Sequence, residues 1–188
     1  ITFIGPTAEQ IRLMGDKAAA RRLAQELKIP VVPGSPGPIE DPDAALAIAE
    51  EIAFPVIIKA AAGGGGKGMR VARDADAFPQ AFGLARNEAL AAFGSAQVYV
   101  EKFLERPRHV EIQLMGDQYG AVMHLGERDC SIQRRHQKLI EEAPSPGLTP
   151  ELRDRMGDCA VRAAKHVHYL CAGTVEFLLE DGCFYFME

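Results

Sequence analysis

The cleanest pattern in the chain lies at residues 109 to 114, where Val110, Ile112 and Leu114 fall on one side and His109, Glu111 and Gln113 on the other. A period of two marks a half-buried strand whose polar side is a candidate ligand-facing surface. Phe54 to Ala60 is a short apolar run rich in β-branched residues, bounded by Pro55 and a glycine cluster, and predicts a second strand with Met69 to Ala72 as its partner. Gln97 to Phe103 and Tyr119 to Gly126 predict two more, and Ile1 to Ile4 reads as an opening strand. Thr174 to Leu179 and Cys183 to Glu188 predict a hairpin across Asp181 and Gly182.

Helix signals stand between these runs. Thr7 with Gln10 three residues on forms a capping box, and Asp16 caps a helix over Lys17 to Leu27. Asp43 to Ile52 is helical by its Ala and Leu content. Asp74 caps a helix from about Ala75 to Ala92, with Phe78, Phe82 and Ala85 as its core stripe, and Thr149-Pro150-Glu151 starts another that runs to about His168. Prolines and glycines between Pro30 and Pro42 make a connector. The elements fall into residues 1–30, 31–104 and 105–188, with a boundary near Leu104 to Arg108.

Composition narrows the class. The 188 residues are 47% hydrophobic and 25% charged with a net charge of −5, which excludes a disordered chain and gives no electrostatic reason for a nucleic-acid partner. No run approaches the roughly 18 apolar residues of a membrane helix. Cys130, Cys159, Cys171 and Cys183 have no CxxC spacing, which predicts reduced, packed thiols. The net charge hides a division: residues 40–51 carry −5, whereas residues 128–138 carry +3. By itself the basic stretch also reads as a solvated face.

Ala62-Gly63-Gly64-Gly65-Gly66-Lys67-Gly68 is the main glycine loop. A dinucleotide fingerprint opens a helix, but here a strand is predicted to follow. A phosphate loop of the Walker type needs Gly at 61 and Ser or Thr at 68, where Ala61 and Gly68 stand. What remains is a strand-loop-strand flap whose N–H groups can close over phosphates, or a flexible surface turn. Lys59 and Lys67 add point charges there.

Glu176 and Glu188 sit in apolar surroundings and predict paired or metal-bound carboxylates, magnesium with nucleotide phosphates being the natural candidate. Register decides whether both reach one ion. A two-residue turn at Asp181-Gly182 sets them on opposite faces; a three-residue loop, Glu180 to Gly182, pairs Leu179 with Cys183 and sets them on one face, roughly 5 to 8 Å apart at Cβ. The three-residue loop is the one predicted.

Together, Met14-Gly15-Asp16-Lys17, Pro55-Val56-Ile57-Ile58-Lys59 with Gly63 to Gly68, Arg108-His109-Val110-Glu111 and the run Glu127 to Lys138 followed by Glu141-Glu142-Ala143-Pro144 resemble biotin carboxylase. The resemblance spans essentially the whole chain, and the run ending at Lys138 is its most specific part. Within that family the chain resembles the component of bacterial acetyl-CoA carboxylase more than propionyl- or methylcrotonyl-type carboxylases or pyruvate carboxylase.

The resemblance implies an α+β ATP-grasp fold with nucleotide between two lobes. Residues 1–30 would end an upstream domain and helical linker, 31–104 would form the lid subdomain and 105–188 the first part of the C-terminal lobe. Lys17 and Lys59 would contact ATP phosphates under a flap that includes Gly64, Gly65, Gly66 and Gly68. Glu101, Lys102 and Leu104 would hold adenine partly through backbone groups, and His109, Gln133, His136 and Leu178 would line the pocket. Glu176 and Glu188 would bind ATP and its Mg2+ or Mn2+, and Lys138 would act in catalysis by helping to hold bicarbonate.

The implied reaction makes carboxyphosphate and then carboxylates biotin on a carboxyl carrier protein or domain, which serves a carboxyltransferase component in a cytoplasmic homo-oligomer. The family's catalytic base and biotin-site residues would follow Glu188, so the excerpt alone should be inactive. Two alternatives stay open: another ATP-grasp carbon-nitrogen ligase, carbamoyl phosphate synthetase included, or a non-catalytic nucleotide-binding module.

Overall fold

The computed structural model describes residues 3–62, 68–135 and 137–188, with Lys17 described by its backbone alone. Two compact units form, Val32–Glu105 and a second built from Ile1–Val31 with Arg106–Glu188. The second unit begins with helices α1 (Ala8–Gly15) and α2 (Lys17–Glu26). The capping box is present: Thr7 Oγ1 accepts from the Gln10 N–H and Gln10 Oε1 from the Thr7 N–H. Gln10 also donates Nε2 to the carbonyls of Val167 and His168, at 3.0 and 2.8 Å, and so ties this corner to the far end of its own unit. Asp16 caps α2 through the Ala19 N–H. Phe3 and Ile4, by contrast, are exposed and form no strand.

Unit Val32–Glu105 holds α3 (Pro42–Glu51), β1 (Val56–Ala60), β2 (Met69–Ala72), α4 (Phe78–Phe93) and β3 (Val98–Lys102). The antiparallel sheet runs β2-β1-β3. Val56, Ile58, Val98 and Val100 pack on Ala45, Ala49, Phe78, Phe82, Ala85 and Ala89 of the two helices, so small residues let α3 and α4 approach closely. Asp74 does accept a bond from the Ala77 N–H, but the helix proper starts only at Phe78. Residues 33–39 of the connector lie along the outer edge of β3, with Ser35 and Ile39 N–H groups on the carbonyls of Val100 and Val98.

The remaining elements are β4 (Arg108–Gly116), β5 (Val122–Arg134), β6 (Gln137–Glu142), α5 (Pro150–His166), β7 (Cys171–Glu180) and β8 (Cys183–Phe186). They make an antiparallel sheet in the order β6-β5-β4-β7-β8. Val110, Ile112 and Leu114 are buried as the alternation demands, with Val175, Phe177 and Phe186 beside them and Met156, Ala160 and Ala163 of α5 packed above. Ala20, Ala24 and Ile29 join this same core. One face of the sheet is thus the core, and the other carries the polar row of β4.

Two departures from the sequence reading matter for the site. β5 continues eight residues past Gly126, because a bulge lets the strand go on: Ile112 pairs with Glu127 and Leu114 with His124, so two residues of β5 oppose Gln113. Gly126, at φ +93°, supplies the backbone this needs. The hairpin of β7 and β8 has the two-residue turn, not the three-residue loop, since Glu180 pairs with Cys183. Asp181 and Gly182 have φ of +50° and +75°, the pair of positive values that a type I′ turn requires and that Asp-Gly accommodates.

The thiols also divide. Cys130 and Cys159 are buried, but Cys183 is exposed.

Candidate functional site

The polar face of the five-stranded sheet gathers its charges in a row. Arg128 of β5 pairs with Glu111 of β4, and Glu111 with Glu176 of β7. The bulge at Gly126 decides this row. Before it, His124 shares the register of core-facing Leu114; after it, Glu127 and Asp129 stand opposite Ile112 and Val110, and Arg128 opposite Glu111. Of three consecutive charged residues, only Arg128 therefore joins the polar face.

Two carboxylates directly opposite each other repel unless a cation lies between them. Lys138, from β6, supplies it: its ammonium donates to Glu111 Oε2 and, at 2.6 Å, to Glu176 Oε1. Arg128 Nε donates to Glu111 Oε1 at 2.6 Å and its Nη1 to Gln113 Oε1 at 2.9 Å, with Glu141 3.4 Å from Nε on the other side. His109 Nε2 meets Glu176 Oε2 at 2.7 Å, and Gln133, which pairs with Lys138 across the hairpin, reaches His109 Nδ1 at 2.6 Å. The hydrogen bonds from His109 and Lys138, one each, outweigh burial and bring the Glu176 carboxyl down to about 2. Burial alone would lower the Lys138 ammonium, but its bonds to Glu111 and Glu176 hold it well above its ordinary value. Glu111 is likewise held low, burial being outweighed by Lys138 and Arg128.

The basic run is consequently not a bare positive surface. Arg128 and Lys138 are neutralised by Glu111, Glu141 and Glu176, while Arg134 and Arg135 are exposed. Cys130 beside them is pushed up to about 12 by burial and by Glu111, which makes it an inert thiol. Glu127 and Asp129 serve the other face. Glu127 takes Arg153 at 2.6 and 2.7 Å and the Ser145 N–H at 3.0 Å, and Asp129 takes Arg108 at 3.0 Å and the Ser145 hydroxyl at 2.9 Å, which clamps the turn after β6 to β5.

The two-residue turn removes the register argument for a metal shared by Glu176 and Glu188. The ladder is irregular beyond it, however: the Met187 N–H donates to the Glu176 carbonyl at 2.9 Å, while the Glu176 N–H donates to the Glu188 carbonyl at 2.7 Å. Two residues of the last segment thus oppose Glu176, as in a bulge. The two backbones adjoin. Leu178 lies on the same face of β7 as Glu176 and opposite His109.

In the other unit, Lys59 and Glu101 are diagonal neighbours on β1 and β3, and their side chains pair at 2.7 Å. Glu101 thereby presents its carboxylate to Lys59. Beyond it the edge of β3 is specialised. The Lys102 N–H donates to the Pro33 carbonyl at 2.8 Å, but proline has no N–H to return to the Lys102 carbonyl. That carbonyl therefore gains no ladder bond from Pro33. The Lys102 ammonium is elsewhere, on the carbonyls of Ala53 and Phe54. Gly68, at φ +68°, accepts from the Ala60 N–H and donates to Glu88. Gly64, Gly65, Gly66 and His136 lie outside the described residues, and Lys17 opens α2.

Residues 16–188 match the family described as carbamoyl-phosphate synthase L chain, ATP binding domain. The chain belongs to this ATP-grasp family. Within the family, a biotin carboxylase of Nostoc sp. is 59% identical over 189 residues, covering 100% of this chain and 42% of the relative. A biotin carboxylase of Pseudomonas aeruginosa is 55% identical over 188 residues, covering 100% of this chain and 42% of its own length. Among solved structures, a biotin carboxylase complex with β-γ-ATP from Campylobacter jejuni superposes with a TM-score of 0.88 at 49% identity, over 100% of this chain and 42% of that one. The biotin carboxylase domain of the Hydrogenobacter thermophilus 2-oxoglutarate carboxylase, solved with MgADP, ADP and bicarbonate, gives 0.87 at 50% identity, again over 100% and 42%. This ATP-grasp chain thus spans about two fifths of the relatives it matches, and the likeness to biotin carboxylase read from its motifs is borne out.

Glu111, Gln113 and Glu141 are the site residues that motif reading left without a role. For Glu111 and Gln113 the signal was available: the period-two alternation sets both on the face of His109.

Proposed function

We propose that the full-length protein carboxylates biotin on a carrier protein or domain, using ATP and bicarbonate through carboxyphosphate, with this chain as its ATP- and metal-binding core. The observation that carries the reading is the row Arg128, Glu111, Glu176 with Lys138 upon it, in a chain 59% identical to a biotin carboxylase. Residues 31–104 act as the lid subdomain and 105–188 as the first part of the C-terminal lobe. Lys59 and Lys17 meet phosphates, and the Lys102 carbonyl and Leu104 N–H meet adenine, with the Glu101 side chain reserved for Lys59.

The donor set fits a hard divalent cation. Glu176 offers carboxylate oxygens held in the ionised form, and magnesium takes one or two carboxylates and fills the rest of its shell with water and phosphate oxygens. Glu188, beside Glu176 in the backbone, is the second ligand in this proposal. When bound, the ion neutralises charge that develops on the phosphates during transfer. Lys138 then exchanges Glu176 for the bicarbonate oxygens, still held by Glu111, which Arg128 fixes in turn. Positioned cations of this kind lower the barrier because they need no reorganisation when charge appears.

The acceptor complex is the finer part of the proposal: an acetyl-CoA carboxylase-type assembly with a carboxyltransferase component, homo-oligomeric and cytoplasmic. Labelled bicarbonate supplied to the full-length protein with MgATP and biotinylated carrier tests the function. Acid-labile label on the carrier, dependent on ATP, is the expected result; label on ammonia-derived carbamate instead would assign the chain to a different ligase.

A further inference from the structure

Gln133 Nε2 lies 2.8 Å from the Cys130 carbonyl oxygen and 2.6 Å from His109 Nδ1. A carbonyl oxygen only accepts, so the Gln133 atom between these two groups is the amide nitrogen; turning the amide over would set two oxygens 2.8 Å apart. His109 Nδ1 consequently faces a donor and is the bare nitrogen of the ring. The ring proton is on Nε2, 2.7 Å from Glu176 Oε2.

We propose that Gln133 is a positioning residue that acts through His109: its donated N–H fixes the Nε2–H tautomer, and that Nε2–H aims the Glu176 carboxylate so that Oε1, the oxygen Lys138 holds at 2.6 Å here, is the one offered to a metal ion when Lys138 turns to bicarbonate. The opposite tautomer would turn a lone pair toward Oε2 and press two acceptors together at 2.7 Å, driving Glu176 from its place. The order of command follows the fold. Gln133 stands opposite Lys138 on the β5-β6 hairpin, its second hydrogen goes to the backbone at Cys130, and neither contact depends on a ligand. Conventional metal sites fix a ligating side chain by just such an outer hydrogen bond, whose loss commonly weakens metal binding about 10- to 100-fold. The tautomer stands on the geometry alone; the metal half rests on the proposed role of Glu176.

The test uses the full-length protein labelled with 15N-histidine and held at about pH 8, where ordinary imidazoles are neutral. The His109 signal is assigned by its loss in His109→Gln. A single tautomer protonated on Nε2 is expected, shifting toward a mixture in Gln133→Met, together with roughly tenfold weaker Mn2+ binding by calorimetry without nucleotide. A proton on Nδ1 in the unaltered protein, or a His109 signal that Gln133→Met leaves unchanged, overturns the proposal. So does a shifted tautomer with Mn2+ affinity unchanged, provided Glu176→Gln does weaken Mn2+. If Glu176→Gln has no effect on Mn2+ either, the metal assignment falls and the tautomer result stands.

Discussion

Glu111 and Glu176 lie directly opposite each other on adjacent strands, and a single ammonium, that of Lys138, holds both. Removing that cation leaves two facing carboxylates with burial working against each. Lys138→Met should therefore destabilise the sheet unit by about 3 kcal/mol, in the range for breaking a buried ion pair. Adding Glu111→Gln should recover part of the loss, because it removes one of the two charges. Denaturant midpoints of the single and double variants check this, and a double variant less stable than Lys138→Met alone would contradict it.

The bulge at Gly126 is the second testable feature. A Cβ there meets open space, so Gly126→Ala should cost only the positive-φ backbone penalty, about 1 to 2 kcal/mol, with Mn2+ binding retained. Deleting Gly126 is a different perturbation. It removes the extra residue, so that Leu125 alone opposes Gln113 while Glu127, Arg128 and Asp129 keep their faces, and a folded deletion variant should retain Mn2+ binding as well. Calorimetry of both variants checks this, and loss of Mn2+ binding in a folded variant of either kind would contradict it.

Glu127 and Arg153 make the acid-sensitive contact. Arg153 is the main cause of the lowered Glu127 carboxyl, with burial opposing it. A depressed carboxyl contributes stability above its ordinary value of 4.5 and loses it as pH falls toward the lower folded value. Arg153→Met should thus lower stability at neutral pH, and the difference from the unaltered protein should shrink below about pH 4. Stability measured against pH for both proteins gives the comparison; a difference that grows in acid would refute the assignment.

Gly34 brings the connector against β3, where an added Cβ would stand 2.5 Å from the Val100 carbonyl oxygen. Gly34→Ala should cost about 1 to 3 kcal/mol as the connector is forced outward. Adenosine binding should weaken with it, because the same connector places Pro33 beside Lys102. Mn2+ binding at the other unit's carboxylates should be unaffected, and equal losses of both would argue against separate sites.

Much of this arrangement was legible because its signals are local. The alternation at 109–114 marked both the core side of β4 and the face that carries His109, Glu111 and Gln113, and the capping box at Thr7 and Gln10 marked a helix start. What escaped was the fate of Glu127-Arg128-Asp129. Their continuation of β5 leaves no hydrophobic alternation, because the positions facing the core side hold carboxylates satisfied by Arg153, Arg108 and Ser145. Those partners come from β4, α5 and the turn after β6, so sequence spacing carries no trace of them. The three-residue loop failed for a simpler reason. Metal-site logic favours it over turn chemistry, whereas Asp181-Gly182 prefers the two-residue turn.

Release of phosphate from ATP by the full-length protein, measured with bicarbonate and with or without biotin, tests the central claim most directly. The account predicts slow cleavage without biotin, a clear acceleration with it, and loss of that acceleration in Glu176→Gln. Cleavage indifferent to biotin and bicarbonate, or a Glu176→Gln variant as active as the unaltered protein, would contradict it.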